Sequence, residues 1–350
     1  LFAKDWKKAI ADFEEVVYNK SNNYGYALYP KYADVFKLAG HKSNEMIFAI
    51  QTLAGVGLDY GLPFAYNIGF RGSFGGGNFG MPTTELADSY ENKDGSAFNW
   101  NAFIPRFNED IAVKRKAFMA TQTNGKLNSI PDTALLGKIY RGRDPRMTAS
   151  LIVPYSYHIG FVANVVRPLQ FIVATGVSEN FGQTRNNSGW YTYLWRKFVP
   201  EGNENGAMSV REHTPFNFPL IRFGDVLLML SEAYNEDGQL AKAVIELNKV
   251  RARVGMPGLN SGAAWLQVTT KEQMFARIVH ERKVELAGEG HQFSDVRRWG
   301  IAKAQLDGTV IRNLFGEPHF IRKFTDRDYL WPIPRTEIEM NSALTQNPGW

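Results

Sequence analysis

Residues 223–256 constrain the fold of this chain more than any other stretch. "FGDVLLMLSEAYNEDG" carries an apolar helical pattern that ends at Gly238, and "QLAKAVIELNKVRARVG" carries a second that ends at Gly255. A glycine just beyond the last periodic position supplies the left-handed conformation at which helices stop. The two helices and their turn have the length of one tetratricopeptide-type hairpin, about 34 residues, with Ala233, Gly238, Ala243 and Leu247 at packing positions. One such hairpin cannot bury its own apolar face and must stack on other helical pairs. The opening segment offers a partner, since Phe2, Trp6, Ile10, Phe13 and Val17 recur at helical spacing. A third helix is expected from about Lys271 to Gly288.

The rest of the chain reads differently. "YGLPFAYNIGFRGSFGGGNFGMP" alternates glycines with aromatics, a composition of long loops rather than regular elements. Between about 145 and 200, runs such as "ASLIVPYSY" and "FIVATGV" predict a few strands or extended arms. The expected fold is mainly α, with tetratricopeptide-type hairpins, a loop-rich insertion and a few short strands. Residues 1–58 read as the last helical repeat of an N-terminal region. Residues 59–215 read as the loop-rich, partly extended ligand region. Residues 216–350 read as a hairpin, a third helix and a C-terminal tail, all packed as one domain. The chain opens inside a helix without an initiator methionine, so further N-terminal sequence is expected to precede it.

The densest chemistry lies in "IVHERKVELAGEGHQFSDVRRWG", Ile278 to Gly300. His280 and Glu281 begin a zincin-like motif, but position 284 is Val, so the second imidazole one turn on is missing. Glu281 and Glu285 lie one turn apart on the same helix face. A glycosidase pair must flank the scissile bond from opposite sides, which this spacing does not provide. The favoured reading is a partly buried ion network in which Arg251, Glu281, Arg282 and Arg297 take part, with Arg298 a further candidate, because guanidinium and carboxylate make bidentate bonds. Gly75, Gly77 and Gly80 match a dinucleotide fingerprint only by composition, since Met81-Pro82 follows where a helix should start. There is no Walker A sequence, no nucleophile elbow and no EF-hand spacing. Cysteine is absent, which excludes disulfides and thiolate chemistry. The net charge of +5 is spread without a basic block, so nucleic acid is not an expected partner. No metal or cofactor is expected.

Aromatics make up 13% of the chain and require either a large core or a stacking surface. Tyr66, Phe70, Phe74, Phe79 and Trp100 lie in or beside the Gly-rich region. Exposed rings stack on the apolar faces of pyranoses, and rim groups such as Arg71 and Asn78 bond their hydroxyls. Taken singly, each ring is better read as packing; for the cluster the two readings balance. The expected platform is Trp100 with one or more of Tyr66, Phe74 and Phe79. Trp190, Tyr191, Tyr193 and Trp195, beside Arg196 and Lys197, alternate at strand spacing; a stacking strip is one reading, and layer packing is favoured over it.

"PLIRFGDVLLMLSEAYNEDG", "AVIELNKVRARVGMPGL", "HERKVELAGEGHQFSDVRRWG" and "YLWPIPRTEIEMNSALTQNPGW" together resemble the successive signatures of SusD/RagB-type proteins. "MPTTELADSYENKDG", "YRGRDPRM" and "WRKFVP" match further segments of that family in order. The resemblance implies an outer-membrane, surface-exposed lipoprotein of Bacteroidetes that binds oligosaccharides, or in some members peptides, without catalysis. It implies delivery to a SusC-like TonB-dependent transporter. It also implies membrane attachment only through an N-terminal lipid anchor that this chain does not contain. A carbohydrate-active hydrolase is the less favoured alternative. The family's ligand residues lie in variable loops, so the candidates above rest on chemistry and region alone.

Overall fold

The computed structural model describes residues 3–55, 58–69, 79–124, 126–162, 165–174, 191–206, 208 and 211–350. Helix α1 (Trp6–Tyr18) starts where the Asp5 carboxylate accepts the Lys8 amide and stops at Asn19, which is left-handed. Its apolar stripe packs on α7 (Phe223–Glu236), which α8 (Leu240–Arg253) and α9 (Lys271–Glu285) also cover. This enclosure explains why α7 is apolar on nearly all sides, as a fully buried helix must be. Gly238 and Gly255 follow α7 and α8 with φ of 80° and 72°, the stop conformation read from sequence. Thr270 and Gln273 form a capping box at the start of α9. That helix ends at Glu285, short of Gly288, because the chain turns away at Leu286.

The region between is built from short helices and paired strands. Its helices are α2 (Phe64–Asn67), α3 (Thr84–Ser89), α4 (Ile111–Phe118), α5 (Thr133–Arg141) and α6 (Pro145–Ser150). The tail adds α10 (His291–Arg298), α11 (Ala302–Leu306) and α12 (Arg335–Met340). With twelve α-helices and only short strands among the described residues, the fold is mainly α.

Among the described residues the strands occur as antiparallel pairs. They are β1 (Met46–Ile50) with β10 (Phe218–Arg222), β2 (Leu53–Gly55) with β3 (Leu58–Tyr60), and β4 (Thr121–Thr123) with β5 (Lys126–Ser129). The others are β6 (Leu151–Ile152) with β9 (Leu194–Trp195), β7 (Tyr157–Val162) with β8 (Val165–Gln170), and β11 (Val310–Arg312) with β12 (Pro318–Ile321). The strand expected to include Ala149 and Ser150 begins later, at Leu151. The Asp144 carboxylate accepts the Arg146 amide at 2.9 Å and Pro145 presets the first helical turn, so α6 takes those residues.

Two main cores result. One surrounds α7 and receives Met274 and Ile278 from α9; the other gathers Trp100, Phe118, Tyr140, Phe171 and Tyr193 and receives Val284. Helix α9 therefore lies between two apolar masses, and its charged residues fall in the seam. Among the described residues no helix is long and apolar enough to cross a membrane.

Candidate ligand surface and the buried ion seam

The charged run on α9 is a clamp rather than an acid–base pair. Glu285 accepts from Arg222 at 2.8 Å, from Arg146 at 3.0 Å, and from Arg253. Glu281, one turn earlier on the same face, accepts from Arg146 at 2.5 Å and Arg251 at 3.0 Å. Arg251 reaches on to Glu91 at 2.9 Å. Arg282 points the other way and bridges Asp225 on α7 and Asp295 on α10, each at 2.7 Å. All of these side chains are buried. A methyl group at Gly224 would fall 2.4 Å from an Arg222 nitrogen, so only glycine lets that guanidinium pass.

Arg297 is a correction. It donates to the carbonyls of Phe293 and Asp328 and lies over the Phe293 ring at 3.6 Å, outside the ion seam. Arg298 takes the place expected for it, bonding Glu232 and Asp295. One residue rotates a helical side chain by about 100°, enough to place Arg298 in the seam and Arg297 outside it. Sequence reasoning also missed Glu45, Arg146, Lys197, Arg222 and Glu289. Arg222 did leave a signal, as a lone charge inside the apolar run "PLIRFG".

Burial alone would raise the Glu285 pKa, but Arg253, Arg222 and Arg146 hold it well below the ordinary carboxylate value. Lys197 shows the opposite balance. Its ammonium bonds Glu289 at 2.6 Å and lies 3.9 Å from the Phe36 ring centre, yet full burial outweighs the pairing and lowers its pKa to about 8. Between about pH 8 and the ordinary lysine value of 10.5 the unfolded chain therefore binds more protons at this site than the folded one. Stability contributed by this group rises with pH across that window. Lys197→Met is expected to abolish that rise in pH-resolved denaturant melts. Its cost at pH 7 is expected to be small, about 1 kcal/mol, well under that of an orphaned buried charge, because Glu289 keeps both Arg222 bonds.

The aromatic candidates separate into two groups. Trp100 is 4% exposed. Its indole nitrogen donates to Asp88 at 2.9 Å, and its ring stacks on Phe107 at 4.5 Å with the edges of Phe98, Phe118 and Tyr140 around it. It borders a small cavity of about 160 Å³ that neither Tyr66 nor Phe79 lines. Trp100 is thus a core residue, not part of the expected platform; the Asn99 cap of the turn at Trp100–Ala102 directs it inward.

Tyr66 and Phe79 do come together. Their rings meet edge to face at 6.4 Å, and Phe79 is 75% exposed. The Phe79 amide donates to the Asn67 carbonyl at 2.7 Å, tying Phe79 to the end of α2. Arg211, which the sequence gave no reason to select, lies over the Tyr66 ring at 4.6 Å. The base is firm, because the Ala65 amide donates to the buried Thr214 hydroxyl and Phe64 stacks on Phe198. Phe70, Arg71, Phe74, Asn78 and Trp190 lie outside the described residues.

Against known families, the SusD family profile matches residues 44–350. The chain belongs to the SusD family. SusD-like protein P25 of Formosa agariphila is 26% identical over 351 residues, covering 98% of this chain and 55% of that relative. Among solved structures, a SusD-like protein from Bacteroides fragilis superposes with a TM-score of 0.70 at 24% identity, covering 100% of this chain and 63% of the other. A SusD-like carbohydrate binding protein from the same species gives a TM-score of 0.72 at 22% identity, covering 98% and 62%. Identities this low speak for the fold, which is that of the SusD-like structures. The chain spans little more than half the length of these relatives.

Proposed function

We propose that this chain belongs to a cell-surface protein that captures oligosaccharides without cleaving them and passes them to a SusC-like TonB-dependent transporter. The observation that carries this reading is the exposed Phe79 ring, braced by Tyr66 and backed by Arg211, on a firmly anchored base within a SusD-family chain. An aromatic face with a guanidinium beside it suits a pyranose, whose apolar ring face stacks on the ring while its hydroxyl oxygens accept from the guanidinium N–H groups. The absence of catalysis is supported by Glu281 and Glu285, whose carboxylates are taken up by arginines. Attachment at the outer-membrane surface would come from a lipid anchor.

Native electrophoresis through gels containing different polysaccharides tests the reading. One class is expected to retard the protein. Phe79→Ala should weaken that retardation by up to about ten-fold, corresponding to the 0.5–1.5 kcal/mol of an aromatic contact, with the thermal midpoint unchanged. Retention by no polysaccharide, together with binding of peptides, would replace glycan by peptide as the ligand. Co-purification of a TonB-dependent transporter with the tagged protein tests the delivery step.

A further inference from the structure

A cavity of about 650 Å³ opens between α9, α3, α10 and the strand end at Arg322, away from Tyr66 and Phe79. That size falls in the range of small-molecule sites, about 300–1,000 Å³. One face of α9, running through Ala276, Val279 and Lys283, forms a wall, and Trp195 on β9 borders it. Gly288, with φ of 79°, lies against the Trp195 ring so closely that a Cβ there would sit 3.1 Å from a ring carbon. That contact fixes the ring at the cavity edge.

The charges on this wall distinguish the cavity from a packing defect. Elsewhere around α9 nearly every buried charge is paired, as the clamp shows. Here Lys283 and Arg322 are half-buried, and the side-chain nitrogens of neither have a hydrogen-bond or ion-pair partner among the described residues. Glu85 lines this cavity as well as the smaller one beside Trp100, and among the described residues its buried Oε2 has no hydrogen-bond partner. Burial lowers the Lys283 pKa and Arg322 lowers it further, opposed by Glu85 and by Asp88. With the Arg282–Asp295 pair set aside, the two cations and one carboxylate that line the cavity leave it one positive charge in excess. An unpaired buried donor or acceptor is costly, and more so when charged.

We infer that this cavity binds the acidic end of an oligosaccharide: its carboxylate or sulfate lies between Lys283 and Arg322, a hydroxyl donates to Glu85, and a sugar ring packs on Trp195. The inference rests on the reading above that the ligand is a saccharide, and it adds a chemical class and a second point of attachment. Each element of the wall then has a partner. The anion satisfies both cations, and the hydroxyl supplies the donor that Glu85 lacks. A neutral sugar would leave Lys283 and Arg322 unpaired, and a simple inorganic anion would leave Glu85 and Trp195 unused.

Isothermal titration calorimetry on the intact protein tests this with three probes of matched length: an oligogalacturonate, a sulfated oligosaccharide and a neutral oligosaccharide. At least one acidic probe is expected to bind more tightly than the neutral one. Lys283→Met and Arg322→Gln should each weaken that binding by about ten-fold or more, as the loss of a charged hydrogen bond does. The acidic probe that responds identifies carboxylate or sulfate as the group held. Lys283→Met removes an unpaired, partly buried charge, so its thermal midpoint should be unchanged or raised, which separates loss of a contact from loss of the fold. Phe79→Ala should weaken neutral and acidic probes alike. Equal affinity for acidic and neutral probes, or acidic binding unaffected by both cavity substitutions, would overturn the inference while leaving the glycan reading intact. Binding of none of the three saccharides would overturn both.

Discussion

Glu285→Ala is expected to destabilise the protein by about 3–5 kcal/mol, the cost of breaking a buried ion pair by removing one partner. Glu285 is the point on which Arg146, Arg222 and Arg253 converge, all buried. Its removal leaves three guanidinium groups in one low-dielectric seam with only Glu45, Glu281, Glu289 and Asp144 to hold them. Denaturant melts should show the full loss, whereas Arg335→Ala, which breaks the exposed Arg335–Glu339 pair, should show no measurable change. An unchanged midpoint in Glu285→Ala would mean that the seam is hydrated and the clamp carries little.

The same residue predicts an acid response. The Glu285 pKa lies well below its ordinary value of 4.5, and Glu289 is lowered by Arg222 and Lys197 despite its burial. A depressed carboxylate contributes stability above its unfolded pKa and loses it as pH falls through the folded value. The native protein is therefore expected to lose stability progressively below about pH 4.5, and Glu285→Ala should lose less of it over that interval.

How much of this was legible depends on the range over which each feature is determined. The ends of α7 and α8 were readable because the stop at Gly238 or Gly255 is a local conformational choice. The pairing of α1 with α7 was readable because both carry an apolar face that one hairpin cannot bury. The seam was half readable. Helical spacing placed Glu281 and Glu285 together, but their partner Arg146 lies 135 and 139 residues away and Arg222 lies 63 residues from Glu285. No periodicity encodes that register. Of the two arginines expected there, Arg298 entered the seam and Arg297 did not, because sequence does not fix the rotation of a short helix about its axis. For the aromatics, composition marked the loop but not the direction of each ring. Tyr66 and Phe79 are neighbours through one backbone bond at Asn67, whereas Asn99 caps a turn that sends Trp100 into the core.

Trp100 therefore yields the second large prediction, and it concerns folding rather than ligand. Trp100→Ala is expected to cost about 3–5 kcal/mol, the range for truncating a buried large aromatic. The cavity it leaves would be lined by Phe107, Phe118 and Tyr140, and Asp88 would lose its indole donor. The burial that already raises the Asp88 pKa would then lose the opposing indole bond while Arg143 and Lys114 remain, so its carboxyl should shift further upward. Trp100→Phe isolates that second effect, keeping most of the ring volume while removing the donor, and should cost less than the alanine variant. If Trp100 acts only through packing, glycan retention per folded molecule will be the same in Trp100→Phe and in the native protein, while Phe79→Ala reduces it. A Trp100→Phe variant with a native thermal midpoint and no glycan retention would instead place the indole at the ligand. It would also mean that the ring leaves the core to meet its ligand, breaking the Asp88 bond and the Phe107 stack to do so.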